Sequence, residues 1–336
     1  MNILVTGGAG FIGSNYLLMM VDKYPEDYFI NVDSLTYAGN LKNLVSLGDR
    51  LNYIFYKVDI HDSTALEAVF RKEKPDAVIH FAAESHVDRS IENPLIFAET
   101  NVLGTINLIN YARKYGVARY VQVSTDEVYG SLGQEGFFTE TTPLLPNSPY
   151  SASKASADCF VRAAVETYGM NASITRCSNN YGPYQFPEKL IPLMIWRALE
   201  GKPLPVYGDG LNVRDWLYVD DHCLAIDTVL RQGQSGEVYN VGGHNERTNL
   251  EIIQEILLIL NKSDSLIQFV TDRPGHDRRY AIDASKIKQQ LNWVPTTNFK
   301  DGIKKTVQWY LSNEQWWRDI LSGEYQSYYS DMYINR

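Results

Sequence analysis

Asp126 and Glu127 stand side by side in the run Ser124-Thr125-Asp126-Glu127-Val128-Tyr129-Gly130, and a phenol and an ammonium follow four apart in Tyr150-Ser151-Ala152-Ser153-Lys154. On a helix, residues four apart share a face, so Tyr150 and Lys154 are neighbours. A free phenol titrates near 10, and a nearby cation commonly lowers it by roughly one to three units. Tyr150 is then expected to act as a base near neutral pH, beside the hydroxyl of Thr125. A hydroxyl, a phenol and an ammonium are enough for oxidising an alcohol, and they leave two carboxyls without a task. Dehydration of a hexose would employ both, one removing a proton from carbon and the other protonating the departing hydroxyl. Adjacent acids can divide those roles if their surroundings push their pKa values apart.

The surrounding pattern says how such residues would be positioned. Asn2 to Thr6, Phe29 to Val32, Tyr53 to Val58, Ala77 to Phe81 and Tyr120 to Ser124 are short β-rich runs separated by amphipathic stretches. This alternation predicts an α/β fold, a parallel sheet with helices on both faces. Ligands meet such a sheet at the C-terminal ends of its strands, which is where Thr125, Asp126 and Glu127 fall. Beyond about residue 175 the rhythm breaks into Pro- and Gly-rich loops. We therefore expect a Rossmann-type doubly wound domain over 1–175, carrying the catalytic residues, and a smaller substrate-binding lobe mainly over 176–336, with the chain free to cross back between them. Thr248 followed by Glu251 forms a capping-box pattern ahead of Ile252 to Leu260, and the last two dozen residues, rich in Tyr and Trp, suggest a docked tail.

Directly after the first run, Gly7, Gly10 and Gly13 lead into the apolar pattern Tyr16 to Val21. Strand, glycine turn and helix in that order allow close approach of backbone to a pyrophosphate, with the helix N-terminus offering free N–H groups. Asp33, twenty residues past Gly13, ends the second run, where a carboxylate accepts from ribose hydroxyls and repels a 2′-phosphate, favouring NAD over NADP.

The chain has 336 residues and a formal charge of −9, which argues against general affinity for nucleic acid. A diphosphate-bearing ligand must then be met by placed cations, for which Arg214, Arg273 and Lys189 are the local candidates, with Asn179 as a further donor. The three cysteines, Cys159, Cys177 and Cys223, are widely spaced and suggest neither a disulfide framework nor a metal site. That cysteine pattern suits a reducing cytoplasm, and no signal peptide or membrane-spanning run is visible.

The spacing of Gly7, Gly10 and Gly13 resembles the extended short-chain dehydrogenase/reductase family. The likeness continues through Asp59-Ile60, Phe81-Ala82-Ala83-Glu84-Ser85 and Thr100-Asn101. It implies NAD contacts from Gly7, Gly10, Phe11, Ile12, Gly13, Asp33, Ser34, Leu35, Thr36, Asp59, Ile60, Phe81, Ala82, Ala83, Ser85, Thr100, Tyr150, Lys154 and Asn180. Within that family, STDEVYG, YSASK and Arg176-Cys177-Ser178-Asn179-Asn180-Tyr181-Gly182-Pro183 resemble the dTDP-glucose 4,6-dehydratases, with similarity from Met1 to about Trp309. This implies that Tyr150, aided by Lys154 and Thr125, deprotonates the C4 hydroxyl during oxidation. Glu127 then removes the C5 proton, Asp126 protonates the C6 hydroxyl as it leaves, and hydride returns to C6. Substrate contacts implied by the likeness are Ser85 and His86 on the sugar, Thr125, Asn179, Arg214 and Arg273 at the diphosphate, and Asp272 and His276 in the substrate loop that carries Arg273. Glu188, Lys189, Leu190, Pro205, Val206, Tyr207 and Asn249 are expected around the pyrimidine, with Tyr207 as a stacking face. The likeness also implies a homodimer through Pro94 to Tyr115 and Tyr150 to Tyr168, and a product destined for deoxysugars such as rhamnose.

Three other readings share most of these residues. The same reaction on UDP-glucose differs by one methyl group, discriminated by only about 1–3 kcal/mol. A nucleotide-sugar 4-epimerase or decarboxylase would have no use for the Asp126-Glu127 pair, and an NAD-sensing binding protein would have no use for Thr125, Tyr150 and Lys154.

Overall fold

The computed structural model describes residues 1–322. Its strands are Asn2–Thr6 (β1), Tyr28–Asp33 (β2), Tyr53–Lys57 (β3), Ala77–His80 (β4), Arg119–Thr125 (β5), Ala172–Cys177 (β6), Asn179–Tyr181 (β7), Leu204–Tyr207 (β8), Val213–Tyr218 (β9), Val238–Val241 (β10), Glu246–Thr248 (β11) and Ile267–Val270 (β12). The first five agree with the expected runs to within one residue at either end. Seven strands form one parallel sheet in the order β10-β6-β5-β4-β1-β2-β3. Their near-continuous apolar character follows from being covered on both sides.

Alternation along β1 shows how two cores arise from one strand. Ile3 and Val5 pack with the helix Phe11–Lys23 and the helix Val219–Gln232, while Leu4 packs with Ser63–Glu73, Gly104–Lys114 and Pro149–Tyr168 on the other face. Helices therefore cover both faces of the sheet, as the doubly wound reading predicts. A third core gathers Leu190–Leu199, Asn249–Leu260, Phe299–Ser312 and Trp317 against β8 and β9. Around it lie a three-stranded sheet, β11-β9-β7, and the β12-β8 pair.

The main sheet draws on both sides of residue 175. β6 runs through that position, and the chain returns as Val219–Gln232 and β10 to extend the sheet beyond β6. The capping box is formed: Thr248 Oγ1 accepts from the Glu251 N–H at 3.2 Å, and a Glu251 carboxylate oxygen accepts from the Thr248 N–H at 2.7 Å. Such caps stabilise a helix by about 1 kcal/mol. Of the C-terminal tail, the helix Glu314–Leu321 docks through a fully buried Trp317, and residues 323–336 lie outside the described residues. Among the described residues no helix is long and apolar enough to cross a membrane.

Candidate active site

Strand order reverses around β1, because β2 lies to one side of it and β4 to the other. The crevice at such a switch point is where open α/β sheets take ligands. Here it is a cleft of about 310 Å³ lined by the glycine loop, the ends of β2 to β6, and Tyr150 and Lys154. Of the residues expected to contact NAD, all but Leu35 line it. Leu35 has a left-handed backbone (φ 57°), donates its N–H to Asp33 Oδ1 at 2.8 Å, and packs its side chain against the core.

Close backbone approach explains the glycines. A Cβ on Gly13 would lie 2.3 Å from the Gly7 carbonyl oxygen, and one on Gly7, itself at φ +71°, would lie 2.6 Å from the Ala82 nitrogen. The helix Phe11–Lys23 begins at Gly10 with no side-chain cap and no acidic residue in its first turn, so its N-terminal N–H groups face the cleft uncompensated. Asp33 is held by the Ala9 N–H at 2.9 Å as well as by Leu35. These features fit a dinucleotide pyrophosphate and its adenosine ribose.

At the end of β5, Thr125 caps a short 3-10 turn, Asp126–Tyr129, its hydroxyl accepting from the Glu127 N–H at 3.2 Å. Gly130 closes the turn at φ +89°, where a Cβ would lie 2.5 Å from the Leu145 carbonyl oxygen. Both acids are thus held on one rigid turn. Tyr150 sits in the first turn of Pro149–Tyr168, capped reciprocally by Ser148 and Ser151. Two buried contacts fix that helix. Asn101 donates to Ser153 Oγ at 2.8 Å from the π-helical turn Ala98–Leu103, and Asp158 pairs with Arg176 of β6 at 2.9 Å.

Asp126 and Glu127 experience unlike surroundings. Asp126 is buried, its Oδ2 has no hydrogen-bond partner among the described residues, and burial followed by the Glu127 charge raises its pKa well above the ordinary aspartate range. Burial also raises Glu127, but less, because Arg273, Arg214 and Lys189 all act to lower it. Burial therefore favours the neutral form of Asp126, while at Glu127 three cations oppose the same push.

Tyr150 departs from expectation. Its pKa lies well above 10, raised first by burial and then by the Glu127 charge, with a hydrogen bond from Thr125 opposing. Lys154 spends its ammonium on the Val123 carbonyl at 2.7 Å, and burial lowers its own pKa. In the protein alone, then, burial outweighs any help the lysine gives to the phenolate.

A second cavity, about 170 Å³, opens beside the first and shares Ser85, Glu127, Asn179, Glu188 and Lys189 with it. His86, Leu190, Pro205, Val206, Tyr207, Arg214, Asn249, Arg273 and His276 also line it. Thr125 lies in the first cleft instead. Asp272 lines neither; it holds His276 through a 2.6 Å contact with Nδ1, and His276 in turn meets the Tyr207 ring edge-on at 6.1 Å. His86 is buried, and burial together with Lys189, Arg89 and Arg273 lowers its pKa well below the usual histidine value, so it serves as a neutral wall. Arg273 pairs with buried Asp88 at 3.4 Å, and Arg214 is braced by the Asp277 carbonyl at 2.9 Å and the Tyr280 ring at 4.3 Å.

Sequence reasoning missed Tyr37, Gln185 and Phe186 in the first cleft, and Asp88, Met194, Trp216 and Ile253 in the second. Only Tyr37, four residues past Asp33, carried a local signal.

The family model described as GDP-mannose 4,6 dehydratase matches residues 4–306. The chain is 55% identical to a dTDP-glucose 4,6-dehydratase of Xanthomonas campestris pv. campestris (strain B100), covering 96% of this chain and 97% of the relative. Among solved structures it resembles dTDP-glucose 4,6-dehydratase from Bacillus anthracis in complex with NAD, with a TM-score of 0.90, 55% identity, and coverage of 95% of this chain and 99% of that one. It also resembles the Streptomyces venezuelae enzyme of the same name with NAD and thymidine diphosphate bound, with a TM-score of 0.93, 50% identity, and coverage of 95% and 100%. A turn that leaves one carboxyl oxygen of Asp126 without a partner and sets Glu127 among cations thus sits on a chain that belongs to the dTDP-glucose 4,6-dehydratase family.

Proposed function

We propose that this protein is a lyase that dehydrates dTDP-glucose to dTDP-4-keto-6-deoxyglucose with NAD as a recycled cofactor. The observation that carries the reading is the divided environment of Asp126 and Glu127. When bound, NAD would supply the hydride acceptor for oxidation at C4, the hydride for reduction at C6, and a positive charge near the phenol. Tyr150, hydrogen-bonded by Thr125, takes the C4 hydroxyl proton. The ketone formed at C4 acidifies the C5 hydrogen, and Glu127 removes it as a carboxylate steadied by Arg273, Arg214 and Lys189. Asp126, neutral because it is buried, protonates the C6 hydroxyl so that water leaves, and Glu127 gives its proton back to C5 as C6 is reduced.

Arg214 and Arg273 suit the diphosphate, Tyr207 offers a flat face to the base, and Ser85 and His86 border the sugar. The site roles predicted from sequence are carried forward on this basis, Leu35 and Asp272 acting by support rather than contact. We assign the protein to the cytoplasm and to deoxysugar formation, with rhamnose one of the sugars its product serves, on the family likeness. A homodimer is supported by Leu95, Ile96, Leu103 and Phe160, large apolar side chains exposed on the same two helical segments expected to pair. Sedimentation showing only monomer at working concentration would remove it.

The test is a side-by-side incubation with dTDP-, UDP- and GDP-linked hexoses without added NAD, read by mass spectrometry. Loss of one water is expected from dTDP-glucose. In Glu127→Gln, reduced dinucleotide should accumulate while water loss falls by about 100- to 10,000-fold. Unchanged turnover would overturn the role of Glu127, and a lack of water loss from every sugar would overturn the reaction.

A further inference from the structure

We propose that Trp316 is a positioning residue for the cofactor: the C-terminal helix acts as a clasp holding together the two rims of the cleft in which NAD would lie. The proposal rests on the cofactor reading above.

One rim is the segment after β2, and it is tied to the C-terminal helix through a single buried amide. Asn43 is buried; it donates to the carbonyl oxygen of Ala9 in the glycine loop at 3.0 Å, and its Oδ1 accepts from the Trp316 indole N–H at 2.8 Å. Ala9 in turn donates to Asp33 at 2.9 Å, so the chain of contacts runs from the C-terminal helix to the cofactor's expected ribose partner. On the exposed side, Lys42 pairs with Asp319 of the same helix.

The other rim is the loop after β7. Its Tyr184, in a left-handed backbone at φ 64°, packs against Trp309 and Trp316 with ring centroids 4.7 and 5.9 Å away. Tyr310 donates its hydroxyl to the carbonyl of Gln185, which lines the cleft. The rims meet over the cleft where Tyr37 and Phe186 contact edge-to-face at 5.4 Å.

Trp316 thus touches both rims while lining no part of the cleft. An indole N–H removed from a buried acceptor leaves that acceptor unsatisfied, a larger loss than the bond's net worth. The consequence is kinetic. For the dinucleotide to leave, the rims must part, and the helix resists their parting.

The experiment loads full-length protein with radiolabelled NAD, chases with excess unlabelled NAD, and follows retained label by rapid gel filtration. Trp316→Phe, which keeps an aromatic ring and deletes the donor, is expected to release label about tenfold faster. Arg318→Gln is the control, since this exposed residue of the same helix pairs with Glu314 and Glu200, which lie on neither rim; release at the wild-type rate is expected. Asp319→Asn, a surface change that spares folding, should speed release about twofold. Equal release from wild type and both clasp variants, or equal acceleration in Trp316→Phe and Arg318→Gln, overturns the proposal. Wild-type protein that retains no NAD overturns the cofactor reading itself, and the clasp with it.

Discussion

The two cavities that meet at Glu127 are built on opposite principles. The cofactor cleft is shaped largely by backbone: glycines at van der Waals limits, helix N–H groups without a cap, and strand ends in register. Its neighbour is shaped by long charged side chains held in place by buried partners, Arg273 by Asp88 and Arg214 by the Asp277 carbonyl and Tyr280. Damage to the first should be steric and indifferent to pH, whereas damage to the second should be electrostatic and visible in a titration.

The largest effect is expected where the two cavities join. Asp126→Asn removes the acid and should lower turnover by about a thousandfold, within the range of a lost general acid. Stability should move the other way. A folded-state pKa above the unfolded value means the penalty of burying Asp126 is absent in acid, grows once pH exceeds about 4, and is complete above the folded pKa. Thermal melts of Asp126→Asn should therefore match wild type in acid and exceed it at neutral pH; a variant less stable at neutral pH would contradict the assignment of a raised pKa.

Next in size, Gly13→Ala forces a Cβ to 2.3 Å from the Gly7 carbonyl oxygen. Relief requires the loop to shift by a cost of about 1–3 kcal/mol, or about 5- to 150-fold in NAD affinity. Calorimetry should find that loss equal at pH 6 and pH 8, and a marked pH dependence would break the contrast. The smallest effect sharpens it instead. Arg273 contributes most among the cations that lower the Glu127 pKa, so Arg273→Gln should move the acidic limb of the kcat profile to higher pH. An unmoved limb would mean that Glu127 is not governed by that charge.

The same contrast decides which features are legible in the order of residues alone. Gly7 to Gly13, Asp33, Asp126-Glu127 and Tyr150 to Lys154 lie in short runs whose spacing already states their geometry, and β1 to β5 follow from apolar runs bounded by turns. Asp88, Trp216 and Met194 come together only because β7 pairs with β9 and a separate helix packs across them, relations of tertiary contact that leave no local trace. Asp272 and Leu35 lie beside the cavities rather than in their walls, since one holds His276 and the other packs toward the core. Tyr150 shows a different limit. Its neighbour Lys154 is evident from spacing, but the depth of burial that reverses the balance of forces is not.

β6 and β10 are adjacent in the main sheet although the chain between them carries Lys189, Tyr207 and Arg214. Departure and return at neighbouring positions make that stretch an excursion with its ends already together. Insertions, deletions or exchanges within it need not disturb the register of the sheet, so preference for one sugar nucleotide over another can drift while the redox chassis is inherited intact.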